Sequence, residues 1–211
     1  MRHSIMGLAV GVATVMAPLG LVAAQNRPRQ SGPQNVDAST RMNQLGPENG
    51  RSAARAGTWT VTETVWDTPG SAPKVTRGQV AERRMVGAML QETLLDHNDA
   101  KEEIVRMDYL SFNRVEGRWE YVSMDTRAPV GIMTAQSHGR GDVERDGERI
   151  EVVFQPFAVA GAGQAVSGQM LRMRQDIITL SADRDIKNQY FTLADGTGTE
   201  WLAHRYEYAR K

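Results

Sequence analysis

The stretch "GTWTVTETVW", Gly57–Trp66, decides the fold. Trp59, Val61 and Val65 alternate with Thr60, Thr62 and Thr64, the period-two pattern of a strand with one buried face. The same texture continues toward the C-terminus. Further strands are expected at 74–84, 88–96, 102–113, 118–125, 130–138, 149–155, 168–181, 187–194 and 199–209. Turn-forming stretches separate them, among them "DTPGSAP", "DHNDA", "VEGR", "GRGDVERDG" and "DGTG". Ten strands joined mostly by hairpin-length connections predict an all-β, antiparallel up-and-down meander. Closure into a barrel is how such a meander removes its unpaired edges. No repeat of fixed period points to a propeller.

Upstream the texture changes. Arg2 and His3 give a basic start, Ile5–Leu21 is apolar or small, and Val22-Ala23-Ala24 offers a cleavage site. Residues 1–24 therefore read as a secretory signal peptide cleaved after Ala24. An uncleaved membrane anchor is the alternative, and Pro18 and Gly20 argue against it by breaking the helix. Residues 25–56 read as a flexible tether, rich in Pro, Gln, Asn and Ser and poor in large apolar residues. Its last part, 47–56, allows a short helix opened by Pro47 and weakened by Gly50. The domain proper is 57–211. Its expected location is periplasmic or secreted, with no stable membrane insertion once the signal is cleaved.

Composition excludes several classes. Residues 1–24 hold Arg2 and no acidic residue, so 24 basic and 25 acidic residues remain after cleavage, a net charge of −1. No basic stripe is present to hold nucleic acid. Cysteine is absent, which removes disulfides, thiolate metal sites and a cysteine nucleophile. No G-x-S-x-G elbow occurs. "AGAGQA", from Ala160, lies between strands and lacks the context of a phosphate loop. His97 sits in a turn and His138 ends a strand. Eight methionines follow Ala24, and Met170 and Met173 fall on opposite faces of one strand, so they cannot clamp one ion. Core filling or pocket lining is their expected role. No cofactor or metal is expected.

Gly57-Thr58-Trp59 at the first strand, with Arg210 at the last, resembles the lipocalin-like (calycin) barrels. That resemblance implies that Trp59 plugs one end of the barrel and Arg210 lies over its ring. More narrowly, "GTWTVTETVWDTPGSAPKVTRGQVAERRMVGAMLQE", "MDYLSFNRVEGRWEYVSMDT" and "EWLAHRYEYAR" resemble, in that order, a bacterial lipocalin-like family of unknown function. Gly87-Ala88-Met89 lacks that family's usual Gly-Arg, and Asp108 precedes Tyr109 where the family has the reverse order. The resemblance implies a barrel with room for an internal cavity and carries no activity.

Site candidates come from strand parity. Leu202, His204, Tyr206, Tyr208 and Arg210 share one face if the last strand is regular. An inward His204 is a core histidine, a ligand contact, a haem ligand or a general base. Against haem, Thr60–Thr64 holds no glycine to let a macrocycle approach. Arg106 and Asp108 share a face with Ile104, Leu110 and Phe112. Arg172, Arg174 and Asp176 share one with Met170, Ile178 and Leu180. Inward charges must pair or orient a ligand's polar end. The expected ligand contacts are His204, Tyr206, Arg106, Met107 and Arg172, with Trp59 and Arg210 closing the barrel and no catalytic residue assigned. The expected function is binding of a small, largely apolar molecule by a monomer or weak dimer. The alternatives are an enzyme with His204 as base and Arg106 or Arg172 as oxyanion partner, or an envelope interaction module with a packed barrel.

Overall fold

A computed structural model describes residues 45–98, 101–127, 131–139, 149–158 and 170–211. The segment expected to be a signal peptide, most of the expected tether, most of the turn stretch "GRGDVERDG" and the loop from Ala160 lie outside the described residues. One helix, α1 (Pro47–Ala54), precedes eleven strands. These are β1 (Gly57–Val65), β2 (Lys74–Val86), β3 (Met89–Asn98), β4 (Lys101–Asn113), β5 (Arg118–Asp125) and β6 (Ile132–Gln136), then β7 (Arg149–Phe154), β8 (Phe157–Ala158), β9 (Met170–Ser181), β10 (Arg184–Leu193) and β11 (Trp201–Arg210).

Each strand from β1 to β7 pairs antiparallel with the next, β7 pairs with β9, and β9, β10, β11 and β1 complete the ring. The chain is thus an all-β, lipocalin-like barrel of ten strands. The eleventh, β8, was not expected from sequence. It follows β7 along the same edge of β9 after Gln155-Pro156 interrupts the pairing.

Residues 47–56 depart from the tether reading. The helix packs on the barrel end formed by β2, β3 and β4, and Glu48, Asn49 and Ser52 are buried. Asn49 can be buried there because its side chain is bonded. Asn49 accepts from the Gly46 N–H (2.9 Å) and donates to Ala88 O (2.9 Å), tying the helix cap to the β2–β3 turn. This helix end is one pole of the barrel. The far end carries Val65 of β1 and Trp201 of β11.

Three of the four register shifts among the described strands bear on which side chains face inward at the site. In β2 the extra residue is Gly78, at φ +85°, between Gln79 opposite Val61 and Arg77 opposite Thr62. In β4 it is Val105, since Arg106 pairs with Leu94 and Ile104 with Leu95. In β11 it is Ala203, since His204 pairs with Gln189 and Leu202 with Tyr190. Each extra residue exchanges the inner and outer faces beyond it. Ile104 is therefore exposed although Arg106, Asp108, Leu110 and Phe112 are buried. Leu202 leaves the face of Tyr206 and Tyr208, and buried Ala203 joins half-buried Trp201 on the core.

Candidate functional site

The helix end is sealed by the opening motif. Trp59 is 1% exposed and lies between two guanidinium groups, Arg210 at 4.3 Å and Arg83 at 4.7 Å from the ring centre. Its indole N–H donates to Arg55 O (3.1 Å). Arg210 donates to Ala56 O, Ala54 O and Ala182 O at 2.7, 2.8 and 3.0 Å, so it binds the helix exit to the β9–β10 turn. Gly57 is required by the same contact. Its φ is +131°, and a Cβ there would lie 2.7 Å from Arg210 Nη1.

Above Trp59 the barrel is filled by charge. Arg55, Arg83, Arg106 and Lys187 meet Glu92, Asp108 and Asp185, all of them buried. Lys187 Nζ donates to Asp108 (2.8 Å), Glu92 (3.0 Å) and Tyr121 OH (2.9 Å). Arg83 bridges Glu92 (2.7 Å) and Asp185, and Arg55 reaches Asp185 at 2.9 Å. Arg106 pairs with Asp108 (2.9 Å) and Glu92 (3.1 Å) and lies over the Tyr206 ring at 4.2 Å. Tyr208 OH donates to Glu92 (3.0 Å), and Ser123 donates to Asp108 (2.7 Å).

Burial pushes the Glu92 carboxyl up, but Lys187, Arg83 and Arg106 outweigh it and hold the group well below its usual range. Asp108 is likewise lowered against its burial by Arg106 and Lys187. Burial lowers Lys187, and Asp108 and Glu92 more than reverse that. The cluster leaves a cavity of about 20 Å³, lined in part by Arg55, Glu92, Asp108 and Lys187. That is space on the scale of one water and far below a ligand cavity.

The far end is different. Phe157, Phe191 and Trp201 form a run of edge-on rings with centres 5.8 and 5.7 Å apart, and His204 lies 5.7 Å from Phe191. The His204 ring stacks on Tyr206 at 6.1 Å. Met133, Leu193, Phe157 and Trp201 are half-buried and pack on the core. Beside them Glu63, 4% exposed in its side chain, accepts from Arg127 (2.7 Å) and faces His204 Nδ1 at 3.4 Å. Burial raises the Glu63 carboxyl, but hydrogen bonds from His204 and Arg127 dominate and keep it ionised, with Tyr206 adding another. Tyr206 OH lies 3.5 Å from the same nitrogen; a carboxylate only accepts, so a hydrogen bond between His204 and Glu63 places the hydrogen on Nδ1. Among the described residues nothing pairs with His204 Nε2, and the side chain is 25% exposed. The Trp201 indole N–H also has no partner among them.

The sequence-selected residues therefore separate. His204 and Tyr206 lie together at the far end, although Tyr206 is itself buried. Arg106 is inward but enclosed by its carboxylates and Tyr206. Met107 has the opposite parity to Arg106 and faces outward, half-buried. Arg172 is exposed on the outer face, because Leu171, Met173, Gln175 and Ile177 are the inward residues of β9. Neither arginine is placed as an oxyanion partner for His204. Sequence reading missed Glu63, Arg83, Glu92, Arg127, Asp185 and Lys187. The alternations Leu90-x-Glu92-x-Leu94 and Lys187-x-Gln189-x-Phe191 carried a signal, since charge there shares a face with core residues.

Among the described residues no helix is long and apolar enough to cross a membrane, and no group of three His, Asp or Glu is placed to hold a metal. The architecture defines a lipocalin-like barrel with one sealed end. No family model and no curated protein matches the chain. Among solved structures it is similar to "Structure of EF1p2_mFAP2b bound to DFHBI", with 9% identity, 77% of this chain and 97% of that one covered, and a TM-score of 0.28. A likeness that loose bears no functional argument.

Proposed function

We propose that this is an exported barrel that binds a small, largely apolar molecule at its far end, and that it belongs with the bacterial lipocalin-like proteins its motifs resemble. The observation that carries the binding reading is the run of rings in which half-buried Phe157, Trp201 and His204 surround buried Phe191 above an ionic floor. Apolar rings with a few polar atoms are the usual composition of a ligand site. The site is shallow, because the ionic cluster occupies the space a deep calyx would need. The export reading is tested by intact mass of the protein recovered from the periplasm, which should begin at Gln25.

Binding is tested by titrating the full chain with N-phenyl-1-naphthylamine, a neutral aromatic probe that brightens when desolvated. A saturable one-site rise is expected, weakened by Trp201→Ala and Phe157→Ala and untouched by Arg172→Ala. A featureless titration, or one indifferent to both aromatic variants, overturns the reading. A second reading has its own observation. Val75, Ile104, Ile132 and Met170 are exposed near the far ends of β2, β4, β6 and β9. That apolar collar suits a partner-binding module, which would bind through its rim and ignore the probe.

A further inference from the structure

We propose that the far-end site selects small aromatic molecules that carry a phenolic hydroxyl, and that His204 Nε2 reads that hydroxyl; this rests on the far-end binding reading above. Three observations converge. The first is the wall. Phe191 meets Trp201 at 78° and Phe157 at 79°, and Trp201 and Phe157 are only half-buried. A flat ring is the shape such a wall accommodates, edge to face or offset.

The second is the fixed orientation of His204. Its Nδ1 faces Glu63 at 3.4 Å and Tyr206 OH at 3.5 Å, its ring is stacked on Tyr206 at 9° between planes, and the Phe191 ring lies 5.7 Å away. Glu63 is itself held by Arg127 and reached by Gln79 Nε2 at 3.5 Å. A carboxylate that fixes one ring nitrogen determines what the other can do. Nε2 is left as an acceptor when the ring is neutral and becomes a donor when it is protonated. The third is that Nε2 has no partner among the described residues although a quarter of the side chain is exposed.

A phenolic oxygen answers both states of the ring. It donates as a phenol to a neutral imidazole and accepts as a phenolate from a protonated one. An ether or a hydrocarbon of the same shape satisfies neither, and a site that presents a polar atom discriminates against the analogue that leaves it unpaired.

The test compares two ligands of nearly equal shape, 4-nitrophenol and 4-nitroanisole, on the intact chain by calorimetry. The phenol should bind about tenfold or more tightly. His204→Phe keeps a ring against Phe191 and removes both nitrogens, so it should bring the two affinities within about twofold. Equal affinities on the unmutated chain, or a preference that survives His204→Phe, overturn the inference. The ligand comparison decides even if the variant fails to fold. If neither nitro compound binds but the naphthylamine saturates, the phenol inference falls and the far-end site stands. If none of the three binds, both fall.

Discussion

The two ends of this barrel use the same residue types for opposite purposes. At the helix end and in the middle, arginines, a lysine and carboxylates are buried and bonded to one another around Trp59. At the far end, Glu63, Arg127 and His204 make a similar set of contacts, but His204 is 25% exposed and Arg127 is 37% exposed in the side chain. The difference is where the unpaired atoms lie: Arg83 Nη2, Arg106 Nη1 and Asp185 Oδ1 lack partners but are sealed inside the barrel, whereas His204 reaches the surface. A charge cluster that closes on itself acts as filler and specifies one packing. A cluster that leaves one hydrogen-bonding atom facing outward can serve a ligand.

The sharpest way to break this contrast is to remove a charge from the filled region. Lys187→Ala leaves Glu92 and Asp108 short of a partner, and such loss costs about 3–5 kcal/mol. Urea melts should show it, and far-end probe binding by the molecules still folded should be unchanged. Trp59→Ala should cost a comparable ~3–5 kcal/mol. Arg210→Ala should cost less, and the two losses should fall short of additive by about 0.5–2 kcal/mol because the side chains stack. Fully additive losses would mean that the stack contributes nothing.

Acid and alkali should attack the filled region from two sides. Glu92 and Asp108 are depressed on folding, so their contribution is complete above the ordinary values of 4.5 and 3.8 and is lost as pH falls below them. Tyr121 and Tyr208, together with Tyr206 where the filled region meets the far end, are raised above 10.0, chiefly by burial, so their contribution is complete below that value and is lost as pH rises beyond it. Absorbance at 295 nm should therefore show three of the five tyrosines ionising only as the chain unfolds. The smallest effect expected is that of His204→Ala, about 1 kcal/mol or less, since Glu63 keeps Arg127. A larger loss would make His204 part of the filling and erase the distinction between the ends.

How much of this was legible before the structure depends on regularity. The ten barrel strands were, because alternation and turn chemistry are local. So was the meeting of Trp59 with Arg210, which the lipocalin resemblance implied. The faces of β4 and β11 were legible only on one side of an extra residue. Ala203 has no feature that marks a bulge, so parity counted from Tyr208 places Leu202 inward when Ala203 takes that role. Gly78 did carry such a mark, a glycine within a β-rich run. Arg172 was misplaced for another reason. Arg172 and Met173 are both long and flexible, and the pattern alone does not say which of two adjacent faces is apolar. The ionic cluster was hidden because its members come from strands far apart in sequence, and Lys187 and Glu92 meet only once the ring is closed.

That closure also governs when the molecule can fold. Trp59 opens the first strand and Arg210 ends the last, yet they are direct register partners, and the Lys211 N–H bonds Thr58 O. During synthesis the strand from Gly57 must wait for some 150 residues before its second neighbour exists, with one edge unpaired throughout. A chain stalled before Trp201 would present two open edges and an incomplete charge cluster to whatever surrounds it. The last strand of the barrel is thus the one that turns a sticky ribbon into a closed ring.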